Sequence, residues 1–196
     1  MSWEGLDRQM QMWSPRLRDD LRIGAHESNQ LATTIAKEVS ELDGNAKQRV
    51  RDASKTPLAS QIDELKAFQL FTGISKGSAS PPEVRALNIY MNYICFVYLG
   101  DSCFKQLRKE LPRDSTGRKC CKFLTDNPVR AFRNAFAHGN WHYLSDFSGL
   151  EYWARPGSND SDAMVRYEVS EEGYNFWQQL ARCVGYVSIM ILSGEG

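Results

Sequence analysis

The sequence predicts a mainly α-helical bundle with a small β-hairpin inserted before the C-terminal helix. Three observations carry this. Apolar residues recur at three-and-four spacing through most of the first 138 positions. Proline, serine and glycine stop-and-start signals divide that pattern into helix-sized pieces. Between Leu150 and Val169 the pattern changes to partial alternation in residues that favour strands. The 196 residues suit one domain over 1–196, with residues 80–196 as its core and 1–75 read as bundle or N-terminal helical extension.

In order, Trp3, Leu6, Met10, Trp13, Leu17 and Leu21 mark helix, and Ser14-Pro15 divides it into two short helices or a kinked one. Leu31, Ile35, Val39, Leu42, Ala46 and Val50 predict one long amphipathic helix from Ser28 to about Ala53, weakened at Gly44. Another is expected from Thr56-Pro57 to Gly73, followed by the loop GISKGSAS. Ser80-Pro81-Pro82-Glu83 has the form of a capping box, and the helix behind it should run to about Leu111 before Pro112 stops it. Its apolar first half marks it as the central buried helix. KELPRDSTGRKCCK reads as a polar loop. Leu150–Arg155 and Met164–Val169, joined by PGSNDSDA, form the hairpin, and Ser170 caps a closing helix from Glu171 to about Leu192.

Hydrophobic residues are 42% of the chain and charged residues 24%, a composition of folded domains rather than disorder. No apolar run approaches the roughly 20 residues of a membrane span, and the N-terminus has no signal-peptide pattern, so a cytoplasmic protein is expected. Five cysteines lack the spacing of a disulfide framework or a zinc site and are read as reduced, structural thiols. The formal net charge is zero but unevenly spread. Lys105–Arg133 holds nine Lys/Arg against three Asp/Glu, whereas the residues from Asn134 onward hold three against eight. The basic segment could face a polyanion, but a solvated loop is the plainer reading.

That segment leads into Pro128–Trp141, PVRAFRNAFAHGNW. Asn127 is expected to cap a helix, Pro128 to occupy its first position and Gly139-Asn140 to close it. Val129, Phe132, Ala135 and Phe136 form a buried stripe, leaving Arg133, Asn134 and His138 polar on a helix built for burial. This string resembles the signature of the HEPN superfamily: an arginine, often followed by a polar residue, then a histidine at this spacing. Arg133, Asn134, Ala137, His138 and Gly139 carry the match, within about a dozen residues of the chain.

The resemblance implies a HEPN-like helical bundle and a metal-independent endoribonuclease, with Arg133 and His138 catalytic and Asn134 supporting. A toxin–antitoxin or phage-defence setting is implied as well, with RNA as substrate, a homodimer through the Arg133–His138 helix and a nucleotidyltransferase-like antitoxin as partner. No cofactor or metal is expected. The residue chemistry agrees. Histidine exchanges a proton near neutral pH, and arginine offers phosphate a permanent planar fork. Attack by the RNA 2′-hydroxyl would leave a 2′,3′-cyclic phosphate.

Residues five apart on a helix diverge by about 140°, so Arg133 and His138 should not share a face, and two chains are expected to complete a site. Arg130, one turn earlier, is a candidate phosphate contact. His142 is a second candidate if the helix continues, although HxxxH alone is half a metal site. Trp141, Tyr143, Tyr152 and Trp153 could stack on bases, but aromatics beside a hairpin are more often core. Two other readings stand beside the enzyme: a non-catalytic dimeric HEPN module binding a protein or nucleotide, and an unrelated helical nucleic-acid binder using the basic segment.

Overall fold

A computed structural model describes residues 2–53, 81–155, 157 and 161–194. The helix expected from Thr56 and the loop GISKGSAS lie outside the described residues, as does Ser80 of the proposed capping box. Helices α1 (Glu4–Gln11) and α2 (Ser14–Leu21) are the two short helices that Ser14-Pro15 signals. Met10, Leu17 and Leu21 point into the core.

The long helix expected from Ser28 to Ala53 is instead three: α3 (Ala25–Asn29), α4 (Leu31–Ser40) and α5 (Gly44–Ala53). Leu31, Ile35, Val39, Ala46 and Val50 are all buried as their spacing predicts. Hydrophobic register therefore survives both breaks, and periodicity alone did not reveal them. The first break is capped from a distance. Asp7, buried on α1, accepts the Ala32 N–H at 2.7 Å, the Thr33 N–H at 3.3 Å and the Thr33 hydroxyl at 2.5 Å. The second is local, with Asp43 Oδ1 accepting the Ala46 N–H at 2.8 Å. Asp7→Ala would strand buried donors at the α4 terminus, and a loss of about 1–3 kcal/mol is expected in urea unfolding; unchanged stability would show that the cap is dispensable.

A helical run extends from Pro81 to Glu110, as predicted. It comprises α6 (Pro81–Asn92), two π-helical segments (Tyr93–Tyr98 and Gly100–Phe104) and α7 (Lys105–Glu110). Ile94, Cys95, Phe96, Cys103, Phe104 and Leu107 are buried along it. The widened turns begin beside a buried polar contact, where Gln178 Nε2 donates to Asn92 Oδ1 at 2.5 Å.

The polar loop expected after Pro112 contains a helix, α8 (Thr116–Thr125), whose Cys120, Cys121 and Leu124 are buried. Ser115 caps it from within, and Glu38 of α4 caps it from outside, accepting the Thr116 and Gly117 N–H groups at 2.8 and 2.7 Å. Gly117 permits this approach, since a Cβ there would lie 2.9 Å from the Glu38 carboxylate. Burial pushes the Glu38 carboxyl above its ordinary range, opposed by these N–H bonds. The basic residues of this region also serve the fold. Arg118 and Lys119 donate to the carbonyls of Leu111 and Arg22, and Arg108 and Lys122 pair with Asp126.

The hairpin is a three-stranded antiparallel sheet in the order β1 (Trp141–Tyr143), β2 (Gly149–Ala154), β3 (Val165–Ser170). Its first strand pairs Trp141 with Tyr152, His142 with Glu151 and Tyr143 with Leu150. Three residues are too few for alternation to announce a strand. Leu150, Tyr152 and Ala154 face the core, where Phe132 meets Tyr152 with ring centroids 5.3 Å apart. The closing C-terminal helix spans Glu171–Ser193 and packs on α4. Ser170 caps it by accepting the Gly173 N–H at 3.1 Å. Among the described residues, no helix is long and apolar enough to cross a membrane.

Candidate functional site

The Arg/His motif lies on and just beyond the helix Val129–Ala137, the motif helix, with His138 at its C-cap. Val129, Ala131, Phe132, Ala135 and Phe136 are buried, Arg130, Arg133 and Asn134 half-buried, and Ala137 and His138 exposed. Sequence spacing assigned these faces correctly. The start differs from expectation. The Asn127–Pro128 bond is cis, and Pro128 rather than Asn127 occupies the capping position, with no side-chain cap from that residue. The preceding helix supplies the connection instead, as the Asp126 carbonyl accepts the Arg130 N–H at 2.9 Å.

The Asp126 carboxylate receives Arg108 Nη1 at 2.7 Å and Lys122 Nζ at 2.5 Å. Burial raises its pKa, but these cationic donors outweigh burial and hold the carboxyl below its ordinary value. The base of the motif helix is thereby tied to α7 and α8.

The helix ends one residue before the histidine. Gly139 adopts φ +71°, with its N–H on the Phe136 carbonyl at 3.3 Å and the Asn140 N–H on the Ala135 carbonyl at 2.8 Å. These two bonds define a Schellman closure, in which glycine supplies the left-handed residue. A Cβ at Gly139 would meet nothing within 4 Å, so Gly139→Ala should lose only backbone strain energy, about 1 kcal/mol. Thermal melts would check this, and an unchanged or raised midpoint would contradict it.

Arg130, Arg133, Asn134 and His138 border one open cleft of about 490 Å³. Arg133 and His138, five positions apart on the sequence, both line this cleft. Arg133 Nη2 donates to Asn134 Oδ1 at 2.5 Å, coupling the two neighbours. The other wall comes from Asn140 and from the β2–β3 hairpin, through Ala154, Arg155 and Met164. Sequence reasoning missed Arg155 and Met164. They have no fixed spacing from the motif and arrive only through the antiparallel register that sets Ala154 opposite Val165.

His142 does not join this cleft. Because the helix stops at Ala137, the HxxxH spacing loses its geometric meaning, and His142 falls on β1. There its Nε2 lies 2.9 Å from Glu151 Oε2, directly across the strands, while Arg166 takes the other carboxylate oxygen at 2.9 Å. The aromatics divide by face. Trp141 stacks on Phe136 with centroids 4.5 Å apart at 11°, and Tyr152 is buried, whereas Trp153 lies on the outer face near His142 and beneath Arg166.

All five cysteines are free thiols and buried. Burial pushes Cys95 and Cys183 up to about 12 and raises Cys120 and Cys121 strongly, so none of these four is a ready thiolate at neutral pH. Among the described residues, no group of three His, Cys, Asp or Glu side chains is arranged to hold a metal. A second polar hollow, beside Asp7 and Thr33, surrounds the carboxylate already engaged in capping α4. Comparisons with protein-family models, curated proteins and solved structures gave no match.

Proposed function

We propose that the chain is a metal-independent endoribonuclease of the HEPN kind. The observation that supports it best is the convergence of Arg130, Arg133, Asn134 and His138 on one cleft. In this reading Arg133 binds the scissile phosphate and stabilises the charge that develops on its oxygens. His138 moves a proton, either from the attacking 2′-hydroxyl or to the departing 5′-oxygen. The 2′-oxygen forms a bond to phosphorus as the bond to the 5′-oxygen breaks, leaving a 2′,3′-cyclic phosphate and a 5′-hydroxyl. Asn134, its carbonyl turned to Arg133, offers its amide NH₂ to the phosphate. Arg130 adds positive charge one turn away.

The same reading includes cytoplasmic action as a toxin or phage-defence effector, held by a nucleotidyltransferase-like antitoxin, and a homodimer through the motif helix. The side of that helix left outside the core borders the cleft, so a dimer formed through it brings two clefts together. The cations of the basic segment that bond within the fold argue against the simpler basic-loop binder.

The test is incubation of the purified protein in EDTA with mixed tRNA and mRNA, beside Arg133→Ala and His138→Ala. Cleavage by wild type alone, with cyclic-phosphate ends, is expected. RNA left intact by wild type would transfer the assignment to a non-catalytic module, and cleavage persisting in both variants would sink this site.

A further inference from the structure

We infer that β3 is an interaction edge for a second copy of this chain, pairing antiparallel across a two-fold axis at Tyr167 so that two sheets join into one. This contact is separate from the motif helix and holds whether or not the chain cuts RNA. β3 ends the sheet, and among the described residues no strand lies beyond it. Its backbone limits the registers open to a partner strand. The Trp153 N–H donates to the Asn140 carbonyl and the Leu144 N–H to the Gly149 carbonyl, both at 3.0 Å, so Gly149, Glu151 and Trp153 direct their backbone groups toward β1. Leu150, Tyr152 and Ala154 therefore bond to Val169, Tyr167 and Val165. That alternation turns the amide and carbonyl groups of Arg166 and Glu168 away from β2. Because bonds form only between residues whose groups face each other, a second β3 can pair about a residue and never about the midpoint of two.

Charge then selects the residue. A two-fold at Arg166 or Glu168 sets like charges opposite each other, which destabilises a ladder. About Tyr167, the run Val165-Arg166-Tyr167-Glu168-Val169 is its own complement. Valine meets valine, arginine meets glutamate twice, and tyrosine meets tyrosine. Arg166 and Glu168 are exposed and also form the hydrogen-bonded pairs, so backbone and charge complementarity coincide. Val165 is 41% exposed although it alternates with them onto the core side of the sheet, and Val169 of the second copy would cover it. Tyr167 is held at the axis by stacking on Tyr152 at 5.2 Å and 13°. Edges that avoid pairing use proline, bulges or inward-pointing charge. β3 has no proline, its register with β2 is unbroken, and its charges point outward.

Sedimentation velocity of the full chain across a dilution series tests the edge. Wild type should associate reversibly. Glu168→Arg and Arg166→Glu should each raise the dissociation constant about tenfold, because two cross-strand pairs become repulsive. Each variant should then shift toward half the wild-type mass, whether wild type is a dimer or, with a motif-helix contact, a larger assembly. Mixed in equal amounts, the two variants set an all-arginine strand against an all-glutamate one. Opposite charges return at both positions, and the wild-type mass should be recovered.

The register is read by oxidation of introduced cysteines, since all native cysteines are buried. Two copies of Tyr167→Cys would place their Cα atoms about 4.5 Å apart in a non-hydrogen-bonded pair, within disulfide reach. Oxidised glutathione should convert this variant to a covalent dimer on a non-reducing gel. Arg166→Cys and Glu168→Cys each face the other position rather than themselves and should resist cross-linking. Equal masses for wild type and both charge variants, no recovery on mixing the folded variants, or equal cross-linking at all three positions would each overturn the inference.

Discussion

His138→Ala is expected to lower the rate of RNA cleavage by about 10²–10⁴-fold, the usual contribution of a positioned general acid or base. The fold should be unaffected. His138 is exposed, lies beyond the last helical residue and contributes its backbone N–H to the closing turn, which alanine retains. Matched thermal melts with initial cleavage rates would separate chemistry from stability. Wild-type rates in the variant would remove His138 from the mechanism. Arg133→Ala should fall comparably, and Arg133→Lys should recover only part of the rate, because an ammonium carries the charge without the two-pronged fork. Full recovery by lysine would show that Arg133 acts through charge alone.

Phe132→Ala is expected to cost about 3–5 kcal/mol, a large share of the roughly 5–15 kcal/mol that holds a domain of this kind folded. Phe132 is fully buried on the motif helix. Its ring meets Phe96, Phe136, Tyr152 and Trp177 at centroid distances of 5.3, 5.4, 5.3 and 5.5 Å. Those four rings come from the central helical run, the motif helix, the sheet and the C-terminal helix. One truncation therefore opens a cavity where four elements meet, and the surrounding aromatics are too rigid to fill it. Urea unfolding would measure the loss, with Phe132→Leu expected to retain much of the stability. A loss no larger than that of an exposed substitution would show that the motif helix is not anchored by this cluster.

The contrast between these two residues explains how far the primary structure could be read. Phe132 and His138 lie six positions apart, and spacing alone separated the buried stripe from the polar one. Local signals of this kind identified the motif helix, its glycine closure, the Ser170 cap and the extent of the central and C-terminal helices, since each depends on residues within a turn or two. They also showed which residue types could carry the chemistry.

What lay beyond them depends on contacts distant along the chain. The break before α4 is held by Asp7, 25 residues from its nearest bonded amide, and α8 is capped by Glu38, 78 residues away. His142 left the candidate site because a closing turn and a three-residue strand replaced the helix that its spacing assumed. Arg155 and Met164 entered through strand pairing. Sequence by itself determined the helical character of the chain and the polar side of the motif helix, because side-chain periodicity is a property of a single element. The opposite wall of the cleft was decided only by tertiary structure, because a cleft is a relation between elements and no local rule records which hairpin will stand across from a given helix.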